Sequence, residues 1–418
     1  MNNFINKLKN NFLIIYIILN LTYILIGSYL VYNNFLEYRV FSYGYIMLLG
    51  INILIILTLF FKKKYIKNKI DIFLLLIIIF AIISTIFAYD PEKALFGEFL
   101  RYEGLFSICY YISLLFITSF IKKEGKKYIV YAILIFGLVQ CLYSYCQKFD
   151  LFNVKTRIEQ GYRWAVGFTG NRNFFGSLMV LCIGYSMGLY IKSEKKFKIG
   201  LYLLLYFLFC VGILFSKTRS CFVSLIFMMI IILIHAIKKK KIIKYIALVF
   251  ILGFSIFLLQ ILKFEPLSRY GIGANDTSQN ISNSKTSEYL SSNRIDLWKK
   301  TIEVVPKYLI HGVGIDNFAN IIDGRPIRSP KSYYNKAHNE YLQIFVTMGI
   351  YSLISFLSLH FLAIKNGIKN KELYLVLPII GYIVQAQFNI SIIEIAPLFY
   401  IGLGMLIDRN ETKKNNDN

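Results

Sequence analysis

Long runs of apolar residues, separated by short polar connections, make up most of the chain. A membrane-spanning helix needs about 20 mostly apolar residues. Reading along the chain gives about twelve candidate runs. They lie near 12–32, 42–61, 70–89, 104–121, 128–148, 173–191, 199–215, 219–237, 244–262, 338–361, 373–389 and 394–408. The pattern predicts an all-α integral membrane protein with about 12 transmembrane helices.

The polar connections fall into two sets that alternate along the chain. One set is short and rich in lysine, and both termini belong to it. Its internal members are 62–69, 122–127, 192–198, 238–241 and 365–371. The other set is mixed in charge and comprises 33–41, 90–103, 149–172 and 263–337. Because cytoplasmic loops carry the Lys and Arg excess, we expect a multi-pass protein of the cytoplasmic (inner) membrane with both termini in the cytoplasm.

One connection is much longer than the others. Residues 263–337 form a polar stretch of 75 residues, which we interpret as a partly helical extracytoplasmic loop between helices 9 and 10. Within it, Asn293 is expected to cap a helix whose apolar stripe is Ile295, Trp298, Ile302 and Val305. The predicted organisation is a single integrated unit: helices 1–9 in 1–262, the loop in 263–337, and helices 10–12 with a cytoplasmic tail in 338–418.

Composition narrows the class of protein further. Hydrophobic residues make up 56% of the chain and charged residues 17%, yet the formal net charge is +24. A soluble domain is typically about 45–50% apolar. A soluble nucleic-acid-binding protein would be basic and polar, so no nucleic-acid partner is expected. We assign most of the lysine excess to membrane orientation and to anionic lipid headgroups.

Histidine is rare enough to be informative, because the chain has only four. His235 and His360 fall at predicted cytoplasmic helix ends, and His311 precedes a turn at Gly312. His338 stands where the long loop enters helix 10, followed by Asn339 and Glu340, which could orient it. A neutral histidine there could act as a general base, and a capping or interfacial role is the alternative.

Several arginines lie on the side opposite the lysine-rich connections. Arg219 follows a very short connection, Arg101 lies in an amphipathic segment, and Arg172 follows a glycine-containing turn that Asn171 or Asn173 can cap. Helix amino termini bind anions, and arginine binds phosphate oxygens in a bidentate way. A pyrophosphate on a lipid carrier would suit this set, and contact with lipid phosphates is the alternative for Arg219.

The chain lacks the motifs of nucleotide-dependent and metal-dependent enzymes. It contains no Walker motif, no dinucleotide fingerprint and no HExxH. We therefore expect no cofactor and no metal site. An extracytoplasmic transferase without nucleotide substrates needs a lipid-linked donor.

The motifs, in their order along the chain, resemble those of the O-antigen ligase/polymerase superfamily of bacterial membrane glycosyltransferases. The matching stretches are RYEGL at 101–105, GNRNFF at 170–175, TRS at 218–220, NRIDLW at 293–298, GVG at 312–314, and HNEYLQ at 338–343 followed by Gly349. The resemblance covers nearly the whole chain, including the large loop between helices 9 and 10. Where the family often has proline, this chain has Arg172.

The resemblance implies transfer of a glycan from undecaprenyl diphosphate to an acceptor hydroxyl outside the cytoplasm, without metal. His338 matches the proposed general base. Arg219 and Arg294 match the donor-binding arginines, and Arg172, Arg101, Asn339 and Glu340 are further candidates for substrate binding. The acceptor is a glycan, a lipid or a protein, so the chain is interpreted as a ligase or as a repeat-unit polymerase.

A lipid-linked glycan flippase or permease is the alternative from another class, and a scaffold is a third. Transporters usually place charges near the bilayer midplane. The apolar runs here contain almost no such charge, which favours surface chemistry.

Overall fold

A computed structural model describes residues 2–61, 69–99, 101–159, 162–261, 294–322, 335–407 and 409. The first ten helices are α1 (Asn2–Tyr32), α2 (Tyr38–Phe61), α3 (Lys69–Ile86), α4 (Pro91–Phe96), α5 (Leu105–Thr118), α6 (Lys123–Phe149), α7 (Arg172–Lys192), α8 (Lys196–Ser216), α9 (Arg219–Lys238) and α10 (Ile242–Ile261). The remaining described helices are α11 (Arg294–Val304), α12 (Ala319–Ile322), α13 (Glu340–Lys369), α14 (Leu373–Ala386) and α15 (Ala396–Leu406). Strands β1 (Arg157–Glu159) and β2 (Tyr162–Trp164) pair antiparallel between α6 and α7, with Arg157 opposite Trp164.

The prediction of a helical, multi-pass membrane protein is confirmed. Among the described residues, eight helices are long and apolar enough to cross a membrane, and four shorter helices are also apolar. Each of the twelve predicted segments overlaps one of these helices. The number that cross the membrane stays a prediction. So does the large outer loop, because 262–293 and 323–334, including Asn293 and the boundary at 262–263, lie outside the described residues.

Helix α7 lies in the middle of the bundle and packs on α8 and α14. Small residues allow its backbone to approach α14 closely. A Cβ added to Gly184 would lie 2.4 Å from the Cα of Pro378, and one added to Gly188 would lie 2.4 Å from the Cα of Tyr374. This packing fixes the position of α7, which begins at Arg172.

Helix α13 is broken at Gly349, whose φ of 80° and ψ of 175° are not helical. The segment 309–314 fills the break with backbone hydrogen bonds. Val313 N donates to Val346 O (2.9 Å), Gly314 N donates to Thr347 O (3.1 Å), and Ile350 N donates to Leu309 O (2.8 Å). The GVG motif and Gly349 therefore serve one purpose, which is to join the loop to the helix that His338 precedes.

The lysine-rich turns contact one another at one end of the bundle, which we call the lysine end. There the buried Lys126 Nζ lies 3.2 Å from Glu372 Oε2, and Lys122 N donates to Asn10 Oδ1 (2.8 Å). Arg409 is buried between α3 and α5 at this end. Its Nη1 donates to Asp71 Oδ2 (3.0 Å), and its guanidinium lies 4.6 Å from the ring centre of Phe116.

The opposite end, which we call the site end, carries the starts of α5, α7, α9 and α13. It is joined by contacts between connections that are far apart in sequence. Tyr32 Oη donates to Lys155 O (3.1 Å), and Tyr45 Oη donates to Ile393 O (2.5 Å). The loop 387–395, between α14 and α15, is central to this end.

The apolar stripe predicted for α11 is wrong in part. Ile295 and Ile302 are 51% and 59% exposed, whereas Leu297 and Thr301 are buried. Val305, which immediately follows the helix, is buried with Leu297 against Phe318, Ala337 and Val346. The buried positions 297, 301 and 305 are four residues apart and form their own face of the helix, one residue out of register with the predicted stripe.

Candidate functional site

His338 lies in a short segment that is fixed on both sides. Before it, Ala337 N donates to Gln343 Oε1 (2.8 Å), and Trp298 Nε1 donates to Ala337 O (2.9 Å). After it, Asn339 caps α13, its Oδ1 accepting from the backbone N–H groups of Tyr341 and Leu342 at 3.1 Å. His338 itself has a φ of 50°, in the left-handed region. Such a conformation costs about 1–3 kcal/mol and persists where its surroundings enforce it.

Positive charges surround His338. Burial, the largest cause, and the cations Arg294, Arg101 and Lys336, in that order, together lower the pKa of His338 to about 4. Burial and nearby like charge both disfavour the imidazolium form. The ring is therefore neutral, and able to accept a proton, across the physiological pH range.

The two arginines near His338 come from different elements. Arg294 begins α11, and its Nη1 donates to Phe388 O (2.7 Å) in the loop 387–395. Arg101 precedes α5, and its Nη1 is buried without a hydrogen-bond partner. Burial lowers the pKa of both guanidinium groups, which stay charged because their ordinary pKa is so high.

A buried charge network lies beside this group. Lys336 Nζ is 2.5 Å from Asp316 Oδ1 and 3.5 Å from Glu103 Oε2. The other oxygen of Asp316 accepts from Glu98 N (2.6 Å). Burial raises the pKa of Glu103, and Lys336 opposes that shift. Asp316, Lys336 and Glu103 thus join three separate parts of the chain.

Asn339 and Glu340 are both predicted to bind substrate. In the structure, the first caps a helix and the second lines a cavity. The Asn339 side-chain oxygen is used by the cap of α13. Glu340 is buried and lines a cavity of about 70 Å³ together with Glu103, Asp316 and Lys336. Its Oε2 has no hydrogen-bond partner. The predicted substrate contact of these two residues stays a prediction.

Arg172 and Arg219 begin neighbouring helices. Asn171 caps α7, as predicted, by accepting from Asn173 N (2.8 Å). Thr218 Oγ1, at the start of α9, donates to Arg172 O (3.1 Å). The two helix amino termini are therefore in contact, which places both arginines at the site end.

The Arg172 guanidinium stacks on the Trp164 ring at 4.4 Å, and its Nη1 is buried without a hydrogen-bond partner. It lines a polar cavity of about 140 Å³ with Arg157, Asn171 and Asn173. Arg157 Nη1 donates to Gly170 O (2.8 Å) on one side of this space. Guanidinium and amide donors of this kind suit an anion.

The loop 387–395 connects the two arginine groups. Phe388 O accepts from Arg294, and the neighbouring Asn389 Nδ2 donates to Asn173 O (3.2 Å) and to Ser177 Oγ (2.9 Å). The structure therefore brings His338, Arg101 and Arg294 together and joins them through two adjacent residues to the start of α7.

Sequence reasoning missed Lys336, Asp316 and Glu103. One signal was available for Lys336, because a lysine outside the lysine-rich connections contradicts the orientation rule just as Arg219 does. Glu103 stands in the RYEGL motif two residues after Arg101. Nothing comparable marks Asp316, whose partners are contributed by distant segments.

The family model described as O-antigen ligase matches residues 204–357. The matched region contains Arg219, Arg294, Lys336 and His338. No curated protein matches the chain significantly. The match confirms the resemblance to the O-antigen ligase/polymerase superfamily that the motifs indicated.

Proposed function

We propose that this chain, a multi-pass membrane protein similar to the O-antigen ligase/polymerase superfamily, transfers a glycan from an undecaprenyl-diphosphate donor to an acceptor hydroxyl, with inversion at the anomeric carbon. The observation that carries the proposal is a neutral, half-buried histidine beside two arginines, in the region that matches the O-antigen ligase model. The reaction takes place at the site end, on the outer face of the cytoplasmic membrane.

His338 is the general base in this proposal. It takes the proton of the acceptor hydroxyl while that oxygen attacks the anomeric carbon from the face opposite the diphosphate. The bond from the anomeric carbon to the diphosphate oxygen breaks as the new glycosidic bond forms. A positioned general base typically contributes about 10²–10⁴-fold in rate.

Arg219 and Arg294 bind the diphosphate and stabilise the charge that develops as it leaves. Arg172, whose Nη1 faces a polar cavity, adds a third cation, and Arg101 adds a fourth close to His338. Fixed cations act strongly in a site that excludes water, and losing one such contact typically costs about 3–4 kcal/mol in the barrier. This assignment predicts the greatest loss of rate at Arg219 and Arg294.

The test is transfer by purified protein from a synthetic undecaprenyl-diphosphate oligosaccharide, with His338→Ala as the first variant. We expect product formation to fall by at least about a hundredfold while donor binding is retained. His235→Ala, at the lysine end, is the matched control and should transfer normally. Wild-type product formation by His338→Ala would remove the base assignment.

The product separates a ligase from a polymerase, since both use the same donor chemistry. Mass spectrometry of the reducing end identifies the acceptor as another repeat unit, a lipid, a wall polymer or a protein. A flippase instead predicts that a strain without the protein accumulates lipid-linked glycan on the inner leaflet. A transferase predicts accumulation on the outer leaflet.

A further inference from the structure

We propose that Asp316 and Lys336 are positioning residues, which hold His338 at a fixed place relative to Arg101. The inference rests on the proposed function, because it assumes that His338 is the base. Neither residue reaches the acceptor in this proposal. They act through the backbone of the segments that carry the base and its neighbouring cation.

The contacts of Asp316 support this role directly. Its carboxylate binds Lys336, two residues before His338, through one oxygen at 2.5 Å. The other oxygen accepts from Glu98 N at 2.6 Å, three residues before Arg101. A single side chain therefore ties together the two segments that supply His338 and Arg101.

The segment that holds Asp316 is itself fixed. Asn317, the next residue, accepts from Asp90 N (2.9 Å) and donates to Asp90 O (3.1 Å), and Gly314 N is bonded to α13 across the helix break. Asp316 is thus a rigid reference point rather than a side chain on a free loop. A misplacement of about 1 Å in a reacting group can cost about a hundredfold in rate, so such a reference point has catalytic value.

Burial of the network is the second argument. The side chains of Lys336, Asp316 and Glu103 are 5%, 0% and 6% exposed. Taking charges out of water is costly, and replacing a buried ion pair by apolar groups is often neutral or stabilising. A role in positioning explains why buried charges are present here despite their unfavourable desolvation.

Charge balance gives the positioning network a measurable signature. The charges that act on His338 are Arg294 from α11, Arg101 from the segment before α5 and Lys336 from its own segment. Glu103 and Asp316 pair with Lys336, and Glu340 at the start of α13 lines the same cavity. Asp316 and Glu103 offset part of the positive charge of Arg101 and Lys336, and Arg294 adds a third cation. Neutralising Asp316 leaves an excess positive charge near His338, which should weaken the base.

The experiment compares Asp316→Asn with Glu372→Gln in the transfer assay. Glu372 forms a buried pair with Lys126 at the lysine end, with side chains 2% and 0% exposed, and is therefore a matched control. For Asp316→Asn we expect kcat to fall at least about tenfold with the KM for the donor nearly unchanged. We also expect the acidic limb of its pH–rate profile to move to lower pH. Glu372→Gln should change neither.

The double variant Asp316→Asn, Lys336→Met separates position from charge. It removes both charges of the Asp316–Lys336 pair together, so it also serves if Asp316→Asn does not accumulate. We expect its acidic limb to return towards that of the wild type while kcat stays low. Recovery of kcat in the double variant, or wild-type kcat and pH profile in folded Asp316→Asn, would overturn the positioning role. A failure of the proposed function is distinguishable from a failure of the positioning role, because it would show as normal transfer by His338→Ala.

Discussion

At the scale of one residue, the cations near His338 give it an unusual proton affinity for the base that we propose it to be. Its pKa of about 4 in the free protein lies below the ordinary value of 6.5 because of burial, Arg294, Arg101 and Lys336. The His338 imidazole is therefore neutral near pH 7, but its protonation is unfavourable unless a negative charge binds nearby. In the proposed mechanism, a bound diphosphate would supply that charge and raise the proton affinity of His338 in the donor complex.

The pH dependence of transfer should show this difference. The acidic limb of kcat/KM reports the free protein and is expected near pH 4, whereas the limb of kcat reports the donor complex and should lie at higher pH. Both kcat/KM and kcat fall as the pH decreases, because protonation removes the base. Initial rates at limiting and at saturating donor measure the two limbs, and coincident limbs would contradict the electrostatic account.

Substituting Arg294 should change both the pKa of His338 and the interaction with the donor. In Arg294→Gln the loss of a cation raises the pKa of His338, so the acidic limb of kcat/KM moves to higher pH. The same change removes a donor contact, for which we expect a loss of about 3–4 kcal/mol, or roughly 150- to 900-fold in kcat/KM. Arg39→Gln, which removes an exposed arginine near the start of α2, is the control and should leave both unchanged.

The site residues divide into those that sequence can predict and those that need the fold. His338, Arg172 and Arg219 stand at helix starts between apolar runs, where a polar residue is conspicuous. Asp316 is one acidic residue among others, and its meaning depends on Lys336 and Glu98, which lie 20 and 218 residues away in sequence. Pairing over such distances is set by tertiary packing.

At the scale of elements, the break in α13 is the feature on which the site depends most. A Cβ at Gly349 would lie 2.1 Å from Ile310 O, and one at Gly312 would lie 2.1 Å from Thr347 O. Both glycines also have positive φ, at 80° and 72°. The loop and the helix can approach each other only because neither residue has a side chain.

Gly349→Ala is therefore expected to destabilise the protein by at least about 1–3 kcal/mol, through strain and displacement of the 309–314 segment. Transfer should fall as well, since this segment carries the fixed end of the Asp316 network. Thermal unfolding in detergent measures the effect. Gly253→Ala, in the interior of α10 with no atom within 4 Å of the added Cβ, is the control and should be neutral or slightly stabilising. An equal loss in both variants would argue against the packing account.

Helix α11 shows why an apolar pattern can mislead at this scale. Its sequence offers two overlapping faces, one with Ile295 and Ile302 and one with Leu297 and Val305. Periodicity identifies a helix but does not decide which face is covered, because that depends on the partner. Here Phe318 and Val346 select the second face.

At the scale of the whole molecule, the positions of the helices follow closely from hydrophobicity, since spanning length imposes strong limits. The orientation in the membrane remains a prediction that labelling can check. Phe152 is 87% exposed at the site end, and Phe197 is 82% exposed at the lysine end. With the native cysteines replaced, Phe152→Cys should react with a membrane-impermeant maleimide on intact cells. Phe197→Cys should react only after lysis, and the reverse pattern would place the active site in the cytoplasm.

The buried position of Arg409 has a consequence for biogenesis. All eleven residues of α15 are buried, this helix packs along α5, and Arg409 beyond it supplies a cation to Asp71 of α3. A ribosome completes α3 and α5 long before it reaches these residues. Until then, the groove that α15 fills is open and Asp71 lacks its guanidinium partner. The bundle therefore closes only after residue 409 has been made, so chains interrupted earlier should be recognised and degraded rather than accumulate as partly active protein.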